Sequence, residues 1–231
     1  MSDEPVPEDN GYDGAIDDLA RDRALAGWEI VSVASSFLIA AWLILPFVGN
    51  DKVIWAIPVA LAFVLMLGSH RARGETAREI GWRTDNFFEA VRLLILPVLG
   101  VIVVVLVTGW LLGSLRLEGS QLRPRFLWLP LWGLMQQYVM QGFVNRRAQI
   151  IWGRGWRSLL LVALIFGLLH LPNLWLTVAT FTGGLILAYV YQRAPNLPAL
   201  ALAHGLVSLL MVSTLPTTAL HSMRVGFKYF E

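Results

Sequence analysis

The sequence predicts an all-α membrane protein, a polytopic bundle of about seven transmembrane helices with a range of six to eight. Hydrophobic residues make up 56% of the 231 residues, charged residues only 15%, and the mean hydropathy is +0.61. This is too apolar for a soluble domain whose surface must face water. The chain contains no cysteine, which excludes disulfides, thiolate nucleophiles and Cys-ligated zinc.

Seven apolar runs approach the roughly 20 residues that a helix needs to cross a bilayer core. The second and fifth runs are short, which is why the count ranges from six to eight. Residues 74–90 mix aromatic and charged side chains, as interfacial segments do, and residues 84–86 are expected to cap the helix that follows. The candidate spans are residues 28–48, 53–69, 91–115, 126–144, 158–171, 173–191 and 197–215.

The first 27 residues hold eight carboxylates against Arg21 and Arg23. Such a composition predicts a disordered acidic tail, residues 1–27, ahead of a membrane domain, residues 28–231. The tail lacks the positively charged start of a secretory signal, so no cleavage is expected.

Basic residues outside the spans are divided unevenly between the two sides of the membrane, eleven against six. The positive-inside rule therefore predicts a cytoplasmic N-terminus in the cell (inner) membrane and, for seven spans, a C-terminus outside. With a net charge of only +2, the arginines indicate membrane topology rather than a nucleic-acid-binding face. The larger set is Arg21, Arg23, Arg71, Arg73, Arg78, Arg83, Arg146, Arg147, Arg154, Arg157 and Arg193, and the smaller set is Lys52, Arg116, Arg123, Arg125, Arg224 and Lys228.

Small residues recur four apart in the last three candidate spans. This spacing lets helix backbones approach closely in lipid, where no hydrophobic force drives helices together, and so predicts a tight bundle. The residues are Ala163 and Gly167, then Thr180, Gly184 and Ala188, then Ala201 and Gly205.

Polar side chains at membrane depth are candidates for function, because their burial in lipid is unfavourable. By themselves the glutamines fit equally well as hydrogen-bonding contacts between helices. Two histidines and several amides from three helices would, if the helices touch, form a pocket that can donate, accept and exchange protons. The set comprises Gln136, Gln137 and Gln141 in the fourth span, His170 at the end of the fifth, and His204 and Ser208 in the seventh.

The order and spacing of these residues resemble the motifs of a peptidase family. Gln136-Gln137-x-x-x-Gln141, Phe166-x-x-x-His170 and His204-x-x-x-Ser208 resemble Glu-Glu-x-x-x-Arg, Phe-x-x-x-His and His-x-x-x-Asn. Those motifs belong to the CAAX-protease and bacteriocin-processing family, CPBP or Abi, of glutamic-type intramembrane peptidases. The resemblance covers a core at about residues 126–212, with weaker support from residues 81–86 and 194–197.

The resemblance implies a role for each position. In the family, the leading glutamate and the first histidine activate a water, and the second histidine and the asparagine stabilise the oxyanion formed at the peptide carbonyl. His170 and His204 match the two histidines. Carried over by position, Gln136 stands at the activating glutamate, Gln137 at the second glutamate, Gln141 at the arginine and Ser208 at the asparagine.

The substitution at Gln136 changes the chemistry. A carboxamide takes up no proton near neutral pH, so Gln136 can orient a water but cannot be its general base. No Asp or Glu occurs between residues 119 and 230, and the nearest carboxylates are Glu118 and Glu29. Ser208 keeps a hydroxyl donor on a shorter side chain. The sequence therefore leaves open whether the chain hydrolyses peptides.

These residues raise three functional hypotheses. The resemblance implies an intramembrane endopeptidase of the CAAX type, with a water at Gln136 and His170 and with His204 and Ser208 facing the oxyanion. The alternative is a catalytically impaired relative that binds a membrane peptide or lipid, for example as an immunity protein. A transporter would be expected to show broken helices and paired repeats, which the sequence lacks.

Membrane lipids and a membrane-associated peptide or protein are the expected partners, without nucleic acid. Two histidines with amide oxygens offer only weak ligands for a divalent ion, because no carboxylate or thiolate accompanies them. We therefore expect no metal and no cofactor.

Overall fold

The computed structural model describes residues 10–48, 52–115 and 122–231, whose regular secondary structure is helical. Within these residues four helical stretches are long and apolar enough to cross a membrane, Gly14–Phe47, Phe87–Leu111, Leu174–Arg193 and Leu197–Thr214. Shorter apolar helices, Ala56–Ala72 and Trp156–Leu168, lie at the two spans predicted to be short. The prediction of an all-α membrane helix bundle is confirmed.

The helices follow the predicted spans in order. Helix α1 (Asn10–Ile39) continues through a π-helical segment (Ala40–Ile44) into α2 (Leu45–Val48), and α3 (Lys52–Ala72), α4 (Ala77–Ile80) and α5 (Phe87–Leu111) follow. Helix α6 (Leu122–Gln137) continues through a second π segment (Tyr138–Asn145) into α7 (Arg146–Trp152). The remaining helices are α8 (Trp156–Leu168), α9 (Leu174–Arg193), α10 (Leu197–Thr214) and α11 (Thr217–Leu220), followed by 3₁₀ turns at His221–Met223 and Gly226–Phe230.

The structure departs from the predicted disorder of the N-terminal region. Residues 10–27 form the first part of α1, and residues 1–9 of the predicted tail lie outside the described residues. Asp22 accepts a 2.6 Å hydrogen bond from Arg73, which lies just after α3. The division into a tail and a membrane domain stays a prediction.

Small residues bring the helices of the core close together, as their spacing predicts. A Cβ atom added to Gly184 of α9 would lie 3.0 Å from the Cα atom of Ala163 in α8. A Cβ atom added to Gly205 of α10 would lie 2.8 Å from the Cα atom of Pro130 in α6. These contacts pack α9 against α8 and α10 against α6.

The interfacial segment packs against the turn between α9 and α10. Asn196 donates hydrogen bonds of 2.8 Å to the carbonyl of Arg83 and to Oδ1 of Asn86, and the amide of Leu197 donates to the carbonyl of Gly81 at 2.8 Å. Helix α5 begins after Asn86 as expected, but the Asn86 side chain bonds to this turn instead of capping the helix. The two stretches that gave weaker support to the family resemblance are therefore in contact.

Candidate functional site

A cavity of about 830 Å³ lies between α5, α6, α9 and α10 and reaches the residues that follow α8. Gln136, His170, His204 and Ser208 line it, and most of its other lining residues are apolar. Part of the lining belongs to the outer surface, since Val104 is 64% exposed. In a membrane protein this apolar surface faces lipid, so the cavity is open on its lipid side.

The two histidines meet at one aromatic ring. The Phe166 ring centroid lies 5.1 Å from that of His170 and 5.8 Å from that of His204. The two imidazoles are therefore no further apart than the sum of these distances, about 11 Å. Packed helix axes are about 8–10 Å apart, so histidines on touching helices should lie within about 12 Å of each other. The structure meets this expectation.

The hydrogen bond of His170 determines which ring nitrogen is free. Its Nδ1 atom lies 2.7 Å from the carbonyl oxygen of Phe166, one helical turn earlier. A carbonyl oxygen only accepts hydrogen bonds, so Nδ1 carries the proton in the neutral ring. The Nε2 atom then keeps its lone pair and is able to take up a proton.

His204 has the opposite arrangement. The side-chain amide of Gln137, which is fully buried, places its Nε2 atom 2.9 Å from Nδ1 of His204. In this orientation of the Gln137 amide its NH₂ group donates and Nδ1 accepts, so the proton of the neutral ring lies on Nε2. One histidine thus presents an acceptor and the other a donor.

The family model for type II CAAX prenyl endopeptidases, Rce1-like, matches residues 5–210. The chain belongs to this family. The match covers most of the chain and confirms the family resemblance. The exchange of Glu for Gln in the first motif, Gln136-Gln137-x-x-x-Gln141, stays a prediction. No curated protein and no solved structure gave a significant match.

Gln137 contacts the cavity of this Rce1-like protein only through His204, and Gln141 does not line the cavity either. The Oε1 atom of Gln141 accepts a 2.9 Å hydrogen bond from Asn145, and the Asn145 side chain also accepts a 3.1 Å bond from Gln192 of α9. Gln137 and Gln141 would face the same way on an α-helix. The second π segment has more residues per turn, so a spacing of four no longer keeps both side chains on one face.

Two carboxylates lie close to α7, where the helix that carries Gln136 and Gln137 ends. Both form ion pairs with arginines. The buried Arg147 of α7 contacts Glu29 at 2.7 Å and Glu75 at 2.9 Å, and Arg146 contacts Glu75 at 2.6 Å. Neither carboxylate lines the cavity. The predicted candidate Glu118 falls outside the described residues. Within the described part of the chain, no Asp or Glu side chain lines the cavity.

The charged cluster keeps Glu75 ionised. Burial by itself would raise the pKa of Glu75, but hydrogen bonds from His70, Arg147 and Arg146 outweigh burial and hold this pKa far below its usual range. The His70 bond is 2.5 Å long. Sequence patterns did not point to this cluster, because its members come from distant positions in the chain. The cluster connects α1 and the end of α3 to α7, which continues the helix that carries Gln136 and Gln137.

Proposed function

We propose that this Rce1-like family member is an intramembrane endopeptidase that hydrolyses peptide bonds of membrane-associated substrates in the cavity. The observation that carries the proposal is the opposite hydrogen bonding of the two histidines. His170 presents a free Nε2 lone pair because Phe166 binds its Nδ1 atom, and His204 presents Nε2–H because Gln137 binds its Nδ1 atom. A general base and an oxyanion donor need these two states.

The reaction begins with a water between Gln136 and His170. As the water oxygen attacks the peptide carbonyl carbon, one water proton passes to Nε2 of His170, and the carbonyl oxygen becomes an oxyanion. His204 and Ser208 donate hydrogen bonds to that oxyanion. When the carbon–nitrogen bond breaks, His170 returns its proton to the leaving amine, so the protein ends in its starting state.

Gln136 positions the water in this scheme and does not deprotonate it. An amide carries both a donor and an acceptor, so it can hold a water in one orientation, but it takes up no proton near neutral pH. Because the described lining contains no carboxylate, the imidazole of His170 is the base. Gln137 acts indirectly, by holding the tautomer of His204, and Gln141 acts by holding the second π segment to α9 through Asn145.

A second function is favoured by the lining of the cavity. A volume of about 830 Å³, mostly apolar walls and the absence of a described carboxylate suit the binding of a membrane peptide or a lipid chain without hydrolysis. In this case the chain is a catalytically impaired member that acts as a binding or immunity protein.

We further propose that the protein lies in the cell membrane with its N-terminus in the cytoplasm. The positive-inside rule supports this orientation. The charged cluster of Glu29, Glu75, Arg146 and Arg147 then lies toward the cytoplasmic side and the end of α8 toward the outside. Membrane lipids and a membrane-associated peptide or protein are the partners.

One experiment distinguishes the peptidase function from the binding function. Purified protein in detergent is incubated with a broad set of membrane peptides, and products are identified by mass spectrometry beside a His170→Ala variant. The peptidase proposal expects cleavage by wild type and loss of cleavage in His170→Ala, while both proteins still bind the peptides. Binding by wild type without cleavage would support the second function. Cleavage that persists in His170→Ala would refute the role of His170.

A further inference from the structure

The residues after α10 fold back over the end of the cavity at which His170 lies. Met223 and Val225 line the cavity together with Leu215 from the end of α10. The family match ends at residue 210, so this closing segment, residues 216–230, lies beyond the matched region.

One buried side chain holds the closing segment to the turn that carries His170. Asn173 is 1% exposed, and its Nδ2 atom donates to the carbonyl of Leu220 at 2.8 Å and to that of Arg224 at 3.2 Å. Its Oδ1 atom accepts from the amide of Leu176 at 3.3 Å and caps α9. The two ends of this amide thus have separate roles, one in α9 and one in the closing segment.

The last residues of the closing segment contact Leu171 and the π segment that follows α1. The amide of Gly226 donates a 2.8 Å hydrogen bond to the carbonyl of Leu171. Gly226 also packs so closely that an added Cβ atom would lie 2.8 Å from the carbonyl oxygen of Ala41. Phe230 contacts Trp42, with ring centroids 6.4 Å apart.

The middle of the segment is strained. His221, Ser222 and Met223 have φ angles of 43°, 52° and 60°, in the left-handed region that residues with a Cβ atom rarely adopt. Such conformations persist only where surrounding contacts enforce them, and they cluster at clamps and switch regions. Here the enforcing contacts are the bonds to Asn173 and Leu171, on either side of the strained residues.

We propose that residues 216–230 form a lid over the cavity, with Asn173 as its latch, and that release of the latch opens the cavity to water and polar substrate. The lipid side of the cavity admits apolar groups, but water and a peptide backbone are disfavoured in lipid and need another route. That route is the covered end, beside His170. The inference rests on the proposed function only in taking the cavity as the substrate site.

The test measures access to the cavity and needs no catalysis. The chain has no cysteine, so Val207→Cys, on the cavity wall, supplies a single thiol. The protein is placed in lipid nanodiscs, and the rate of labelling by a positively charged methanethiosulfonate, which does not enter lipid, is measured. Asn173→Asp removes the two donors of the latch and keeps an oxygen to cap α9. Asn86→Asp is the matched control, because it makes the same change in a half-buried amide that donates to Pro195, remote from the lid.

We expect Asn173→Asp to raise the labelling rate about tenfold, the effect of losing two hydrogen bonds from the closed state. Asn86→Asp should leave the rate within about twofold. Gly226→Val, which presses against Ala41, should raise the rate by a separate route. Ser222→Gly relieves left-handed strain and should lower the rate about fivefold.

Asn173→Asp should raise the labelling rate and Ser222→Gly should lower it. These opposite effects distinguish a lid from a general loss of packing. Equal rates in Asn173→Asp and Asn86→Asp would overturn the proposal, and so would faster labelling of Ser222→Gly. A protein that lacks peptidase activity would still show these rates, so a failure of the proposed function and a failure of the lid are distinguishable.

Discussion

Replacing Gln136 by glutamate should supply the cavity with a second group that can take up a proton from the attacking water. Gln136 lines the same cavity as His170, His204 and Ser208, so a carboxylate there can reach a water that is held beside His170. The position has room for the change, because the side chain is only partly buried and Glu has nearly the shape of Gln.

General-base catalysis contributes about 10²- to 10⁴-fold. His170 already offers a base in the structure, so the gain from Gln136→Glu should lie at the lower end, about 10²-fold in kcat/KM. This corresponds to roughly 2.7 kcal/mol of transition-state stabilisation.

The assay is cleavage of a membrane peptide by purified protein in detergent, with Gln136→Glu, wild type and Gln136→Glu combined with His170→Ala compared at equal concentration. Wild-type cleavage that requires His170 and disappears in Gln136→Glu would refute the reasoning. In that case the amide itself would be part of a working site.

The structure argues against adding Gln141→Arg, although the family motif has arginine at this position. Gln141 is fully buried and bonded to Asn145, away from the cavity. A guanidinium there would be a buried charge without a partner, which costs roughly 3–5 kcal/mol. We expect Gln136→Glu with Gln141→Arg to unfold at a lower temperature than Gln136→Glu. Equal Tm values would contradict this assignment of Gln141.

Three further changes test other parts of the structure. Gln137→Leu removes the donor to Nδ1 of His204 and should lower kcat/KM by about 10²-fold, as loss of an oxyanion donor does; unchanged kinetics would disprove the coupling. Glu75→Gln should lower the free energy of unfolding by roughly 3 kcal/mol, because it leaves Arg147 buried without this partner. Since the pKa of Glu75 is lowered, this stability is present above its ordinary pKa of 4.5 and is lost as the pH falls toward the folded value. The gap in Tm between wild type and Glu75→Gln should therefore be constant from about pH 8 to pH 5 and shrink only in stronger acid; a gap that closes near pH 6 would contradict it. Gly205→Val presses on Pro130 and should cost about 1–3 kcal/mol in denaturant unfolding, whereas Gly183→Ala, with open space around it, should not.

The sequence by itself determined the class of the protein. Its apolar content and the length of its apolar runs require lipid as the solvent, and this property depends on composition rather than on contacts. The motif spacing pointed to the peptidase family, and the pair His170 and His204 was expected to share a pocket. Both followed from local patterns, since helix periodicity places residues on faces and small residues mark where helices touch.

Only the tertiary structure decided which polar groups work together. On a regular α-helix Gln137 and Gln141 would share one face, but the second π segment breaks the 3.6-residue period, so one reaches His204 and the other Asn145. The ion pair of Glu75 with Arg147 and the hydrogen bond of Asn173 to Leu220 join residues tens of positions apart. Helix periodicity reports the direction of a side chain within its own helix. The helix that lies opposite is chosen by packing over the whole chain, and only coordinates describe it.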